Sequence, residues 1–332
     1  VSFVESNDQR FVLIPASTLP VGELATVNLF VMVGGKPVVV IRKGNRIDQD
    51  RIGRYLRVRE DFLWIELSEL EGFVDERYND LLFTVDAGQR SVGHRVESAL
   101  TALQLVVLDA YRLGLTNQKA ERVVQSAEKF CGWLKEGSFR AQSVQRILAA
   151  RGNPLALSVV GPTVLAAGTL FVRDHAMKTG TESVIAGSLL RDIGLMGMSQ
   201  DVWTRSWNEL TQDEKLRFQA HPVEGAKLIQ QFGLLNSSIL EIIQQHHEHP
   251  LGTGYPNGRR GHEIYAAAHW VKFSEWLFRA LADFLEIERG MNGKIVNYIT
   301  KRLPDEFGPE HQQAAIGLVQ DSFGKKLVIS AS

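Results

Sequence analysis

The chain has 332 residues, 44% hydrophobic and 23% charged, an ordinary globular composition that can bury a core and fits about two domains. Its 37 basic and 38 acidic residues give a net charge of −1, so no global field favours DNA. A single cysteine, Cys131, excludes an intrachain disulfide framework and suits a reducing compartment.

The opening "VSFVESNDQRF" has neither a basic start nor a long apolar core, so no secretion signal is read there and a cytoplasmic location is expected. Residues 11–40 are rich in β-formers, and Gly34-Gly35-Lys36 between two β-branched runs predicts a hairpin. A short helix is predicted over 47–56, with Asp48 or Asp50 near its start, and "DFLWIELSEL" over 61–70 returns to strand. Together these make a small α/β module over 1–85. It has no nucleotide-loop glycine pattern and no catalytic cluster, so a sensory or docking role is expected.

From 86 to 150, apolar residues recur at three- and four-residue steps and predict connecting helices. Gly114 is a helix stop and Asn117 the cap of the next helix. The amphipathic helices around 93–135 make a homodimer an expectation. The apolar stretch "NPLALSVVGPTVLAAGTLFV" (153–172) carries two prolines, glycines and hydroxyls, which predicts a buried helix and no membrane span. The fold class expected is α+β, the α/β module followed by an all-α domain over 151–332.

That last domain holds the candidate chemistry. In "SLLRDIGLMGM" (188–198), Asp192 closes an apolar helix, where a carboxylate is costly unless it is paired or ligates a metal. Thr211 and Glu214 form a capping box on a helix running toward His221. Pro222 at a first helical position would make His221 the cap of "PVEGAKLIQQF". His246 and His247 end a helix capped by Asn236 or Ser237, and His269 lies in the middle of another. Neutral imidazoles and a carboxylate converging from separate helices are what a divalent cation takes. Taken singly, a helix-terminal histidine more often satisfies a carbonyl or the helix dipole.

The stretch "HHEHPLGTGYPNGRRGHEI" (246–264) closely resembles the signature loop of the HD-GYP family, bacterial phosphodiesterases that hydrolyse cyclic di-GMP. The family's motifs follow in order across roughly 155–275: "LLRDIGLMGM", "LTQDEKLRFQAHPVEGAKLI", the loop, and "AAAHWV". The resemblance implies an all-α HD-superfamily domain, with Asp192, His221, His246 and His247 as metal ligands. It implies a ligand or partner loop at Gly252, Gly254, Tyr255, Pro256, Arg259 and Arg260.

Four departures bear on activity. Arg191 stands where the family has the first histidine of its pair, Leu195 where it usually has lysine, and the final metal aspartate aligns with His269. The family's upstream ligand histidine falls near Ser158 or Val159. The ligands of one metal are thus replaced, with His269 the less certain of the candidates, while those of the other are intact. Guanidinium has no lone pair for a metal, so Arg191 is expected to neutralise Asp192, stand in for lost charge, or hold a phosphate oxygen. The expectation is one divalent cation per chain, iron or manganese by resemblance and zinc compatible with imidazole-rich ligation. Cyclic di-GMP, a related dinucleotide, or a partner of the diguanylate cyclase type would bind, with weak or no hydrolysis. The alternative is an active metal-dependent cyclic di-GMP phosphodiesterase in which Asp192 and His269 still support two metals.

Overall fold

The computed structural model describes residues 11–324 except 49, 51, 54–61, 89, 151–153, 174–179, 197, 199–201, 203–204, 233–235 and 289–293. Half of the helix expected over 47–56 lies outside these, and of the rest Asp50, Ile52 and Gly53 are helical. The chain divides into two compact units, Val1–Leu113 with Ala150–Leu157, and Gly114–Ala149 with Ser158–Ser332.

In the first unit, β1 (Phe11–Pro15), β2 (Leu29–Val33), β3 (Lys36–Ile41) and β4 (Phe62–Glu66) form an antiparallel sheet in the order β1-β4-β2-β3. Val12 faces Ile65 and Ile14 faces Leu63 across the β1–β4 ladder, and all four are buried, so period-two patterning makes one apolar face. The β2–β3 hairpin turns at Gly34 and Gly35, both at positive φ (57° and 78°), the conformation that two-residue hairpin loops require and that glycine adopts without strain. The strand expected to reach residue 70 ends at Glu66, and after a 3-10 turn α1 (Leu70–Asp86) begins. Burial of Leu70, Phe73, Val74, Leu81 and Val85 at helical spacing explains why the chain changes period there. Helix α2 (Val92–Leu113) packs along α1 and stops before Gly114, whose φ is 86°.

The helices expected to connect the two parts are shared out: α2 belongs to the first unit, α3 (Asn117–Trp133) and α4 (Gly137–Ala149) to the second. Thr116, not Asn117, caps α3. Its extended backbone leaves the hydroxyl free to accept the amide of Lys119, while Asn117 is already helical. The second unit continues with α5 (Pro154–Arg173) from Ser158 onward, α6 (Thr181–Leu190), α7 (Gln212–Gln230), α8 (Ser237–Gln245), α9 (Ala266–Glu288), α10 (Lys294–Arg302) and α11 (Pro309–Phe323).

Helix α6 is the hub. Thr181 and every residue from Val184 to Leu190 are buried, and the helix packs on α3, α8 and α9. Gly187 lets α8 approach so closely that a side chain there would meet Ile242 at 2.9 Å. No described helix is long and apolar enough to cross a membrane.

Candidate metal centre

The end of α6, the middle of α7 and the end of α8 meet at one point. Asp192 sits in the turn that follows α6, ahead of the 3-10 turn Ile193–Leu195. Gly194 in that turn lies directly on α7. A Cβ there would come within 2.1 Å of the His221 carbonyl oxygen and 2.7 Å of the Gly225 nitrogen. Only a residue without a side chain allows this approach, which delivers the Asp192 carboxylate to His221.

His221 is not a helix cap. It lies inside α7, which runs unbroken through Pro222. A proline within a helix leaves the carbonyl four residues back without its amide donor, here that of Phe218. His221 Nδ1 hydrogen-bonds that same Phe218 carbonyl, so the imidazole replaces the missing donor. At the end of α8, capped at its start by Asn236, the Nδ1 of His246 bonds the Ile243 carbonyl at 2.9 Å. A carbonyl can only accept, so each Nδ1 carries the proton and each Nε2 presents a bare lone pair.

Those two lone pairs face each other. The Nε2 atoms are 3.2 Å apart, and each is 3.5 Å from Asp192 Oδ1. His247 closes the group, its ring centroid 4.2 Å from that of His246 and 5.1 Å from that of His221. Asp192, His221, His246 and His247 offer donor atoms that all lie within 4.8 Å of one another. Two ligands bound at ~2.1 Å to a tetrahedral ion stand about 3.4 Å apart, so the separations suit one cation. The electrostatics agree. Burial, reinforced by His246, pushes the pKa of His221 down to about 4 against the pull of Asp192, and burial lowers that of His247 as well. Burial alone would raise the Asp192 carboxyl, but the Arg191 guanidinium beside it holds it well below the usual carboxylate range. The centre therefore holds neutral imidazoles at His221 and His247 beside an ionised carboxylate.

Residues 146–279 match the HD domain family. Those residues are an HD domain. Among solved structures, Bd1817, titled an HDG"Y"P protein from Bdellovibrio bacteriovorus, aligns with 93% of this chain and 99% of its own, with a TM-score of 0.68 and 16% identity, a likeness of fold. Among curated proteins, no sequence matches the chain.

Within the HD domain Arg191 is 1% exposed. Its Nε lies 3.1 Å from Asp192 Oδ2. Nη1 donates to the carbonyls of Ser188 (2.9 Å) and Val159 (3.3 Å), and Nη2 to that of Ser158. The guanidinium thus reaches from Asp192 to Ser158 and Val159 on α5, where the resemblance located the upstream ligand. These donors are directed at the protein. Neutralising Asp192 is the role the contacts describe, and the expectation of a phosphate held by two parallel N–H bonds finds no support in them.

His269 does not join the group. On α9 its ring lies against Phe307 (5.2 Å) and His311 (5.0 Å), and burial lowers its pKa.

The loop after the histidine pair folds onto the centre. Gly254 has no room for a Cβ, which would fall 2.3 Å from the His249 nitrogen and 2.5 Å from the His247 carbonyl. The Tyr255 ring stacks on His247 at 4.6 Å and 21°, and its peptide to Pro256 is cis. Gly252 has φ 77°. Arg259 donates to the Glu263 carbonyl at 3.2 Å, and the side chain of Arg260 is exposed opposite Leu251.

Sequence reasoning missed Glu248. Wholly buried, its carboxylate accepts the backbone amides of Asn257 (2.8 Å) and Arg259 (2.9 Å) and so ties the loop across its base. Lys272 of α9 holds the Glu248 carbonyl at 2.9 Å and pairs with Glu306 at 2.6 Å. The available signal was an acid four residues before a glycine-rich run, whose amides need acceptors.

Proposed function

We propose that this chain is a degenerate HD-GYP-like protein of bacterial cyclic di-GMP signalling. It holds one divalent cation on Asp192, His221, His246 and His247, and binds a cyclic dinucleotide or a partner protein with little or no hydrolysis. The observation that carries this reading is the pair of bare Nε2 atoms facing Asp192 on one side, with the Arg191 guanidinium filling the other.

A divalent cation there would supply Lewis acidity toward a phosphoryl oxygen. The chain's own groups favour holding over cleaving. The carboxylate and three imidazoles are spent as ligands, and Arg191 stays protonated. Burial, with Asp192 nearby, raises the Tyr255 hydroxyl above its ordinary value, so it stays a neutral phenol. None of these groups is left to take a proton from water, and the arginine occupies the region where a second cation would help to clamp the transition state.

The test is elemental analysis of chain purified without chelators, alongside a turnover assay with cyclic di-GMP. About one equivalent of metal, lost in His221→Ala and His247→Ala, with negligible turnover, is expected from this donor set. Two equivalents with robust turnover would overturn it in favour of an active phosphodiesterase. No metal would overturn the centre itself.

A further inference from the structure

Trp207 opens the short 3-10 turn Trp207–Glu209 before α7, and 45% of it is exposed, costly for the largest aromatic side chain. It is joined to the metal centre by aromatic steps. Its ring centroid is 5.9 Å from that of Phe218, edge-on, and Phe218 is 5.3 Å from His221 and 6.4 Å from His247. Tyr255 also stacks on His247. The Nζ of Lys215 lies over the Trp207 ring at 5.8 Å. The neighbouring carboxylates are engaged: Glu209 with the Ser206 amide, Glu214 with Thr211 and Arg205, and Asp213 with Arg217. An anion approaching Trp207 and Lys215 therefore meets paired acids and an ammonium.

We propose that Trp207, with Lys215, forms a nucleobase-stacking subsite for a ligand whose phosphate sits at the centre formed by Asp192, His221, His246 and His247. This rests on the metal-centre and dinucleotide reading of the preceding section and adds the residues that would take the base. A ligand with an anionic head and a flat aromatic tail spans both ends of the path from His221 through Phe218 to Trp207. Base–aromatic stacking is tolerant of sequence and uses a partly exposed aromatic ring with a cation close by, and Trp207, 45% exposed with the Lys215 ammonium 5.8 Å from its ring, supplies both.

The test is calorimetric titration of the full-length, manganese-loaded chain with cyclic di-GMP, GMP and inorganic phosphate, for wild type, Trp207→Ala and Trp207→Phe. Trp207→Ala is expected to weaken both nucleotides by about tenfold, Trp207→Phe to retain most of the affinity, and phosphate binding and metal content to stay as in wild type. Nucleotide affinity unchanged in Trp207→Ala, or an equal loss for phosphate, overturns the subsite. So does a wild-type chain that binds neither nucleotide more tightly than phosphate. If GMP binds through Trp207 and cyclic di-GMP does not bind, the cyclic-dinucleotide reading falls and the subsite stands.

Discussion

Arg191 is the residue on which the interior of the HD domain turns. A charge buried to 1% exposure is tolerable only because Asp192 and the carbonyls of Ser158, Val159 and Ser188 surround it. Arg191→Met keeps much of the volume and strands all of these partners. It is expected to lower unfolding stability by about 3–5 kcal/mol in urea titrations, and an unchanged midpoint would mean that the guanidinium compensates nothing. His311 makes a separate residue-scale case. At 3% exposure it stacks on Trp270 at 4.1 Å, and burial, reinforced by His269 and opposed by Glu310, pushes its pKa down to about 4 from 6.5. The unfolded chain thus takes up this proton first as the pH falls. The contribution is whole above about pH 6.5 and declines toward pH 4, by on the order of 3 kcal/mol. Stability measured across that window should fall less steeply in His311→Phe than in the wild type, and equal slopes would refute the assignment.

At the scale of elements, the centre depends on how closely backbones approach. Gly194 brings the turn after α6 onto α7, and Gly187 brings α8 onto α6. Gly194→Ala places a methyl inside contact distance of the His221 carbonyl, so the turn must move and carry Asp192 away from the imidazoles. Metal content of the purified variant is expected to drop well below that of wild type while far-UV circular dichroism stays helical. Full occupancy would show that the turn has more slack than the geometry allows. The elements differ in how much the sequence reveals. The β2–β3 hairpin and the Thr211–Glu214 capping box were legible because their signals are local, two glycines in one case and a hydroxyl three residues before an acid in the other. His221 was misread as a cap because Pro222 normally marks a first turn. Nothing local reveals that the imidazole itself replaces the lost donor. The exclusion of His269 was equally hidden, since the face of α9 on which a side chain points is decided by Phe307 and His311, distant in sequence.

For the whole molecule, the consequence of the centre is linkage. Four donors from three separate segments close around one point, so a cation that binds the folded HD domain and not the unfolded chain must stabilise it. At a hundredfold excess over the dissociation constant the gain is about 2.7 kcal/mol. Adding chelator should therefore lower the thermal midpoint of the metal-loaded chain, and re-addition of metal should restore it. An unmoved midpoint would mean that the donors do not bind metal in solution. At this scale the sequence predicted a β-containing N-terminal part and a helical remainder, because patterning changes period between them. It did not reveal where the compact units divide, at Leu113–Gly114 with a return at Ala150–Leu157, because that depends on which helices pack together.

The interior half of the site is built around a charge that cannot leave. A metal ion comes and goes with supply, and a pocket that needs one to neutralise its carboxylate loosens whenever the ion is scarce. Arg191 is covalently part of α6's end, and its bonds to Ser158 and Val159 fix α5 to Asp192 without any ion. On the proposed reading, metal starvation would empty the imidazole side of the centre while the other side keeps its charge, its hydrogen bonds and its shape.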